Sequence, residues 1–249
     1  MLELNDVSVI FNEGTVLEKK ALDHVSIRIE PGQFVTILGS NGAGKSTFFN
    51  VITGFAKAKT GSVVLDGVDI TEMPEHVRSR SIGRLFQDPK QGTAPHLSVE
   101  ENMGLACSSG RGPFAIAVRK KEEEEFRKML ERLDMGLETR LKTPIGLLSG
   151  GQRQAVALLM AVTNTPKILL LDEHTAALDP ISAKKILQVT NEVIEQNNIT
   201  ALMITHNLRD ALENGNRLLI FQDGKITHDF NKEQKEKLTL EDLIHCYDV

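Results

Sequence analysis

FVTILGSNGAGKST, Phe34 to Thr47, decides the fold. Phe34 to Leu38 make a short strand without polar alternation, the pattern of a strand buried on both faces. The strand runs directly into Gly39-x-x-x-x-Gly44-Lys45-Ser46, and KSTFFNVITG then reads as a helix closed by Gly54. A strand, a glycine loop and a helix in that order are what a phosphate-binding loop requires. The glycines let successive N–H groups turn inward, and the helix start adds partial positive charge. Gly39, Ser40, Asn41, Gly42, Ala43, Gly44, Lys45, Ser46 and Thr47 are therefore the candidate phosphate contacts, with Lys45 able to reach the β- and γ-phosphates and Ser46 able to ligate Mg²⁺. An ordinary glycine turn would match one or two of these positions; here the fixed positions and both flanking elements agree.

A phosphate loop alone leaves kinases, GTPases and motors open. Downstream, Ile168 to Leu171 form a second fully apolar strand, and Asp172 at its C-terminal end stands where the metal of such a loop is expected. Glu173 can then polarise a water aimed at the γ-phosphate. Two carboxylates at a strand end are common in α/β proteins, so this pair needs company, as does His206 after the strand ALMIT. Company comes from Leu148-Ser149-Gly150-Gly151-Gln152, which opens another helix. Its glycine backbone and Ser149 hydroxyl make a second anion-binding helix start. One nucleotide has little use for two cradles from one domain; a second cradle suits the nucleotide of another copy.

Elsewhere, residues 1 to 31 alternate apolar and polar positions as β-structure, and GSVVLDGVDI is a hairpin turning at Asp66-Gly67. From about Lys90 to Leu147 the texture is helical. Ser98 and Glu101 form a capping box, and Phe126, Met129, Leu130 and Leu133 share one helix face. The acidic run Glu122 to Glu125 reads as a solvated face with a Glu123–Arg127 pair, in preference to a cation site. A helix over ISAKKILQVTNEVIEQ, a hairpin turning at Asp223-Gly224 and a short docking helix in LTLEDLIHCY complete the chain. Strands alternating with helices imply an α/β fold with a parallel sheet flanked by helices.

The 249 residues, 41% hydrophobic, suffice for a packed core. A formal net charge of -5 and no basic stripe argue against a nucleic-acid partner. Cys107 and Cys246 have no CxxC spacing and read as free thiols in a reducing, cytoplasmic setting. The start lacks a signal-peptide pattern, and the longest apolar run, Ala155 to Val162, falls far short of the ~20 residues that span a bilayer. A membrane role would require a partner.

Taken together, the motifs resemble those of the ATP-binding cassette (ABC) ATPases, over essentially the whole chain and in the family's order. GSNGAGKS resembles Walker A, Gln87 in RLFQDP the Q-loop glutamine, LSGGQ the family signature, ILLLDE Walker B, AALD ending at Asp179 the D-loop, and His206 the switch histidine. LSGGQ discriminates, because other P-loop classes lack it.

The resemblance implies a P-loop NTPase core with an N-terminal antiparallel β subdomain (residues 1–89 and 148–249) and an inserted α-helical subdomain (90–147). It implies ATP and Mg²⁺ as cofactors and an ATP-dependent head-to-tail dimer. Each ATP would lie between one P-loop and the other copy's Ser149, Gly150, Gly151 and Gln152. It further implies Glu173, His206 and Gln87 in catalysis, and Ser46, Gln87 and Asp172 at the metal. Phe11 would lie on adenine, although it also ends an apolar strand as a core residue could, and Asp179 would touch the partner copy, although it could merely cap the helix at Pro180.

By the same resemblance, separate membrane-embedded permease subunits would dock on the helical segment, at QGTAPHL (Gln91 to Leu97), on the inner face of the membrane. The wording is similar to prokaryotic uptake systems, linked to amino-acid uptake and served by a substrate-binding protein. A regulatory cassette acting on membrane partners without transport, as in cell division, is the alternative. One departure is visible: the family usually has proline after the Walker B glutamate, and this chain has His174, expected to loosen the backbone but to leave the carboxylates in place.

Overall fold

The computed structural model of the chain describes residues 1–107, 118 and 120–247. Two compact units form, Met1–Ile82 with Asn198–Val249, and Gly83–Asn197. Residues 108–117 and 119, within the stretch read as helical from sequence, lie outside the described residues.

The first unit holds β1 (Leu2–Phe11), β2 (Lys19–Ile29), β3 (Phe34–Gly39), α1 (Lys45–Thr53), β4 (Thr60–Leu65), β5 (Val68–Asp69) and α2 (Glu75–Arg78). The second contains β6 (Ile82–Leu85, which starts at the boundary), α3 (Val99–Cys107), α4 (Lys120–Glu131), α5 (Gly150–Val162), β7 (Ile168–Asp172) and α6 (Pro180–Asn197). The chain then returns to the first with β8 (Thr200–Ile204), α7 (Leu208–Glu213), β9 (Arg217–Gln222), β10 (Lys225–Phe230), α8 (Lys232–Lys235) and α9 (Leu240–Tyr247).

In the first unit an antiparallel sheet runs in the order β2-β1-β4-β5. Its alternation changes parity within each long strand. Leu2 and Leu4 are buried, then Val7 and Val9, with Asp6 between them at φ 54. On β2 the shift falls at His24, φ 53. These are facing bulges, each re-aiming its strand. They are tied together: the Asp6 N–H donates to Ser26 Oγ (2.9 Å), the His24 N–H to Ser8 Oγ (3.0 Å), and the His24 ring lies 2.7 Å from the Asp6 carboxylate.

The other sheet of this unit runs β10-β9-β3-β8, with β3 parallel to both neighbours and β10 antiparallel at the edge. All six residues of β3 are buried, as its unbroken apolar pattern requires. Helix α1 lays Phe48 and Phe49 into the core, Phe48 within 5.2 Å of the Phe221 ring on β9. Its C-terminal carbonyls, Val51 and Ile52, accept from Arg78 Nη1 at 2.8 and 3.0 Å, while Nε and Nη2 reach the Met73 and Thr71 carbonyls. The buried guanidinium thus closes the helix that carries the phosphate loop. Both Asx-Gly hairpins form as read, Asp66-Gly67 and Asp223-Gly224 all having positive φ.

In the second unit β6 and β7 are neighbours. The Ser98–Glu101 box opens α3, with the Ser98 N–H 2.7 Å from the Glu101 carboxylate and the Glu101 N–H 3.3 Å from Ser98 Oγ. On α4 the buried residues are Phe126 and Leu130, and the Glu123–Arg127 pair closes at 3.3 Å on the solvent side. Leu133 is buried beyond the helix end, in the turn made by Asp134 at φ 52. Among the described residues no helix is long and apolar enough to cross a membrane.

Candidate functional site

The phosphate loop belongs to the first unit. At Gly39 a Cβ would stand 2.5 Å from the Phe221 carbonyl, and at Gly44 2.5 Å from that of Ala21, so backbone packs where any side chain would stand. Lys45 is buried, and its ammonium donates to the Gly39 carbonyl at 2.6 Å and to that of Ser40 at 3.0 Å, inside the bend of the loop. Ser40, Asn41, Gly42 and Ser46 are exposed, Ala43 and Gly44 buried, and Thr47 half-buried. A pocket of about 400 Å³ brings His206 to Gly39, Ser40 and Asn41, with Leu208 and Ile244 completing its wall. Ile244 reaches it because Leu243 anchors α9 against Leu38, Ala211, Leu218 and Ile220. That apolar wall was not foreseen; the tail's amphipathic pattern was its only signal. Phe11 ends β1 and is 43% exposed, which is no core position.

The second unit carries the carboxylates. Asp172 ends β7, and its Oδ2 accepts from Arg84 Nη2 at 2.9 Å. Glu173 is a non-glycine residue at φ 46, an uncommon backbone state that costs about 1 kcal/mol or more and persists only where its surroundings impose it. Next to it, His174 is 2% exposed and stands 3.3 Å from Thr190 Oγ1 on α6. Because Thr190 donates its own proton to the Ile186 carbonyl (2.7 Å), the imidazole donates through Nε2–H. His174 is thus an anchor where looseness was expected. Burial lowers its pKa to about 4. Gln87 follows β6 and is exposed.

Ser149 is the N-cap of α5. Its Oγ accepts from the Gln152 N–H, and the Gln152 side-chain oxygen accepts from the Ser149 N–H, both at 3.3 Å. Gln152 also donates to the Met135 carbonyl (3.1 Å) and accepts from Arg140 (3.2 Å), which fixes the helix start from outside. The two glycines have a use within the chain itself. A Cβ on Gly151 would stand 3.0 Å from Ser182 Cβ, and one on Gly150 3.2 Å from a Leu178 methyl. Asp179 does cap α6: its carboxylate accepts from the Ser182 N–H at 3.0 Å, and bonds from the Ser182 hydroxyl and N–H hold it below the usual carboxylate range. Ser182 therefore links the Asp179 cap to the Gly151 backbone.

Two further residues organise this unit without having been singled out. Gln154, fully buried on α5, donates to the Phe86 carbonyl at 3.1 Å and so ties the signature helix to the residue before Gln87. Asn102, also fully buried, accepts from the Ala94 N–H at 2.8 Å and donates to carbonyls of Ala94, Leu97 and Ser98. Gln91 to Leu97 is consequently pinned, and its exposed residues are Gln91, Gly92, Pro95 and His96, with Thr93, Ala94 and Leu97 half-buried. Polar residues inside helices give no sequence signal that separates them from solvated ones.

The sequence model of the family described as ABC transporter matches residues 22–176. The chain is similar to a tyrosine transport ATP-binding protein of Clostridioides difficile (strain R20291), 38% identical over 100% of this chain and 99% of the relative. It is also similar to the thiamine import ATP-binding protein ThiQ of Escherichia coli (strain K12), 35% identical over 91% and 90% of the two chains. Among solved structures it resembles a dimeric ATP-binding cassette in a post-hydrolysis state bound to ADP and Pi (TM-score 0.78, 30% identity, 93% of this chain and 99% of that one). A nucleotide-free cassette from an ABC transporter has a TM-score of 0.79 at 32% identity, over 97% and 95% of the chains.

Proposed function

The chain belongs to the ABC transporter family as an ATP-binding cassette ATPase, and from that premise we propose that it is the energy subunit of an import system. The observation that carries this reading is the presence in one chain of a phosphate loop built around Lys45 and a capped LSGGQ helix start, each of the kind that holds anionic oxygens. Lys45 and the N–H groups of residues 39–47 bind the ATP phosphates, and Phe11 offers an exposed ring for adenine. Glu173 orients and deprotonates the attacking water, aided by Gln87 and His206. Ser149 to Gln152 and Asp179 face the nucleotide and loop of a second copy.

Mg²⁺ is the metal this chemistry calls for. Among the described residues no cluster of three or more His, Cys, Asp or Glu could hold a metal by itself. That suits Mg²⁺, which takes one or two carboxylates plus phosphate oxygens and water. Ser46, Gln87 and Asp172 offer hard oxygen donors of the right type. When bound, Mg²⁺ would neutralise phosphate charge; the protein's part is to present those oxygens and the Glu173 base.

Amino-acid cargo is the finer proposal, supported by the likeness to a tyrosine transport subunit over the full length of both chains. Separate permease subunits, a substrate-binding protein and a place on the cytoplasmic face of the membrane go with it. A regulatory cassette without transport is the competing reading. The test is reconstitution with the neighbouring permease genes and [¹⁴C]tyrosine uptake. Pro95→Glu with His96→Glu, on the exposed rim of the docking loop, should abolish uptake while basal ATP hydrolysis stays within a few-fold. Uptake unaffected by these changes would remove the docking role, and ATP hydrolysis without uptake of any amino acid would favour regulation.

A further inference from the structure

Arg84 takes no part in the reaction as described, yet it holds the carboxylate on which the metal reading depends. Its Nη2 lies 2.9 Å from Asp172 Oδ2, and the two side chains are only 16% and 17% exposed. A charge-assisted contact at that depth is screened by water much less than a surface pair. The guanidinium is also held from its other side. Its central carbon stands 4.8 Å from the centre of the Phe86 ring, whose residue is fixed by the Gln154 bond to its carbonyl. Arg84 and Asp172 sit on neighbouring strands, β6 and β7, so neither end of the pair is on a mobile loop. The arginine is thus preorganised on the carboxylate.

We propose that Arg84 is a built-in competitor of the divalent cation at Asp172, setting how much metal the nucleotide site requires. The proposal rests on the metal reading of Asp172 given above. A cation approaching this carboxylate meets an oxygen already bonded to a fixed positive charge, so it must displace Arg84 or bind beside it against like-charge repulsion. Either route weakens metal binding relative to a free aspartate. The arginine is a positioning residue: it acts through Asp172, and its removal should tighten metal binding.

The test is Mn²⁺ titration of the purified, ATP-bound full chain, read by the loss of the free-ion signal in electron paramagnetic resonance. Arg84→Met keeps the apolar stem over Phe86 and deletes the charge; it should lower the half-saturating Mn²⁺ concentration about tenfold. Arg84→Lys keeps a charge without the planar fork and should fall between Met and wild type, so it decides the matter should the methionine variant fold poorly. Unchanged or weaker Mn²⁺ binding in a folded variant overturns the proposal and leaves Arg84 as a structural tie. Asp172→Asn separates the two readings: if it binds Mn²⁺ as wild type does, the metal role of Asp172 has failed, and the competition with it.

Discussion

His174 shows how one residue can both depart from a family pattern and replace what the pattern supplied. A proline after the glutamate would stiffen the backbone through φ. Here the imidazole is buried and bonded to Thr190, which anchors the chain at the residue after Glu173 and its positive φ. This anchor has a pH signature. Burial lowers the folded pKa to about 4 from the ordinary 6.5, so between those values the unfolded chain binds a proton that the folded one does not. The contribution is fully present above pH 6.5 and is lost as pH falls through 4, by about 3 kcal/mol in all. Urea unfolding at pH 7, 5.5 and 4.5 should show this slope in wild type and its loss in His174→Gln, which can still donate to Thr190. Parallel slopes in both proteins would mean that other groups dominate acid sensitivity.

At the scale of elements, α5 serves two purposes at its first turn. Gly150 leaves its first turn exposed where the proposed anion would lie, and the turn packs against the start of α6 through Gly151 and Ser182. Gly151→Ala should therefore lower stability as well as activity, since a Cβ 3.0 Å from Ser182 Cβ forces the two helix starts apart, at about 1–3 kcal/mol. Adding Ser182→Gly should restore part of that stability, a positive coupling of about 1 kcal/mol in a thermal-unfolding double-mutant cycle, while ATP hydrolysis stays low. Recovery of hydrolysis along with stability would mean that the glycine serves packing alone. Such contacts were illegible beforehand for a physical reason. Strands, caps and Asx-Gly turns are local codes, and β3, the Ser98–Glu101 box and both hairpins followed from them. The facing bulges at Asp6 and His24, the Asn102 knot and the Arg84–Asp172 pair depend on residues brought together from distant strands or on backbone states that many side chains permit. The candidate site was legible in its loops and motif order, and illegible in what holds those loops still.

For the whole molecule, the decisive feature is that one chain carries two glycine-rich helix starts of the kind that can hold an anion, α1 after the phosphate loop in one unit and α5 after Ser149 in the other. A similar cassette forms a dimer bound to ADP and Pi. Two copies of this chain, each with a formal net charge of -5, repel one another, and bound ATP adds negative charge. Closure should therefore be sensitive to charge near the γ-phosphate and should gain from moderate salt. Glu173→Gln keeps the shape of the side chain, removes one negative charge and deletes the basic oxygen. Loss of a general base costs about 10²- to 10⁴-fold in rate, or ~3–5 kcal/mol of barrier. Nucleotide binding should survive, because Lys45 and the loop N–H groups are untouched. The variant should then accumulate as an ATP-bound dimer, whereas Lys45→Ala should bind ATP poorly and stay monomeric. Size-exclusion chromatography with light scattering in Mg²⁺-free ATP, at low and moderate salt, reads both outcomes. A Glu173→Gln protein that hydrolyses ATP at the wild-type rate and elutes as a monomer throughout would strip Glu173 of its role as base and leave its unusual backbone state without a function.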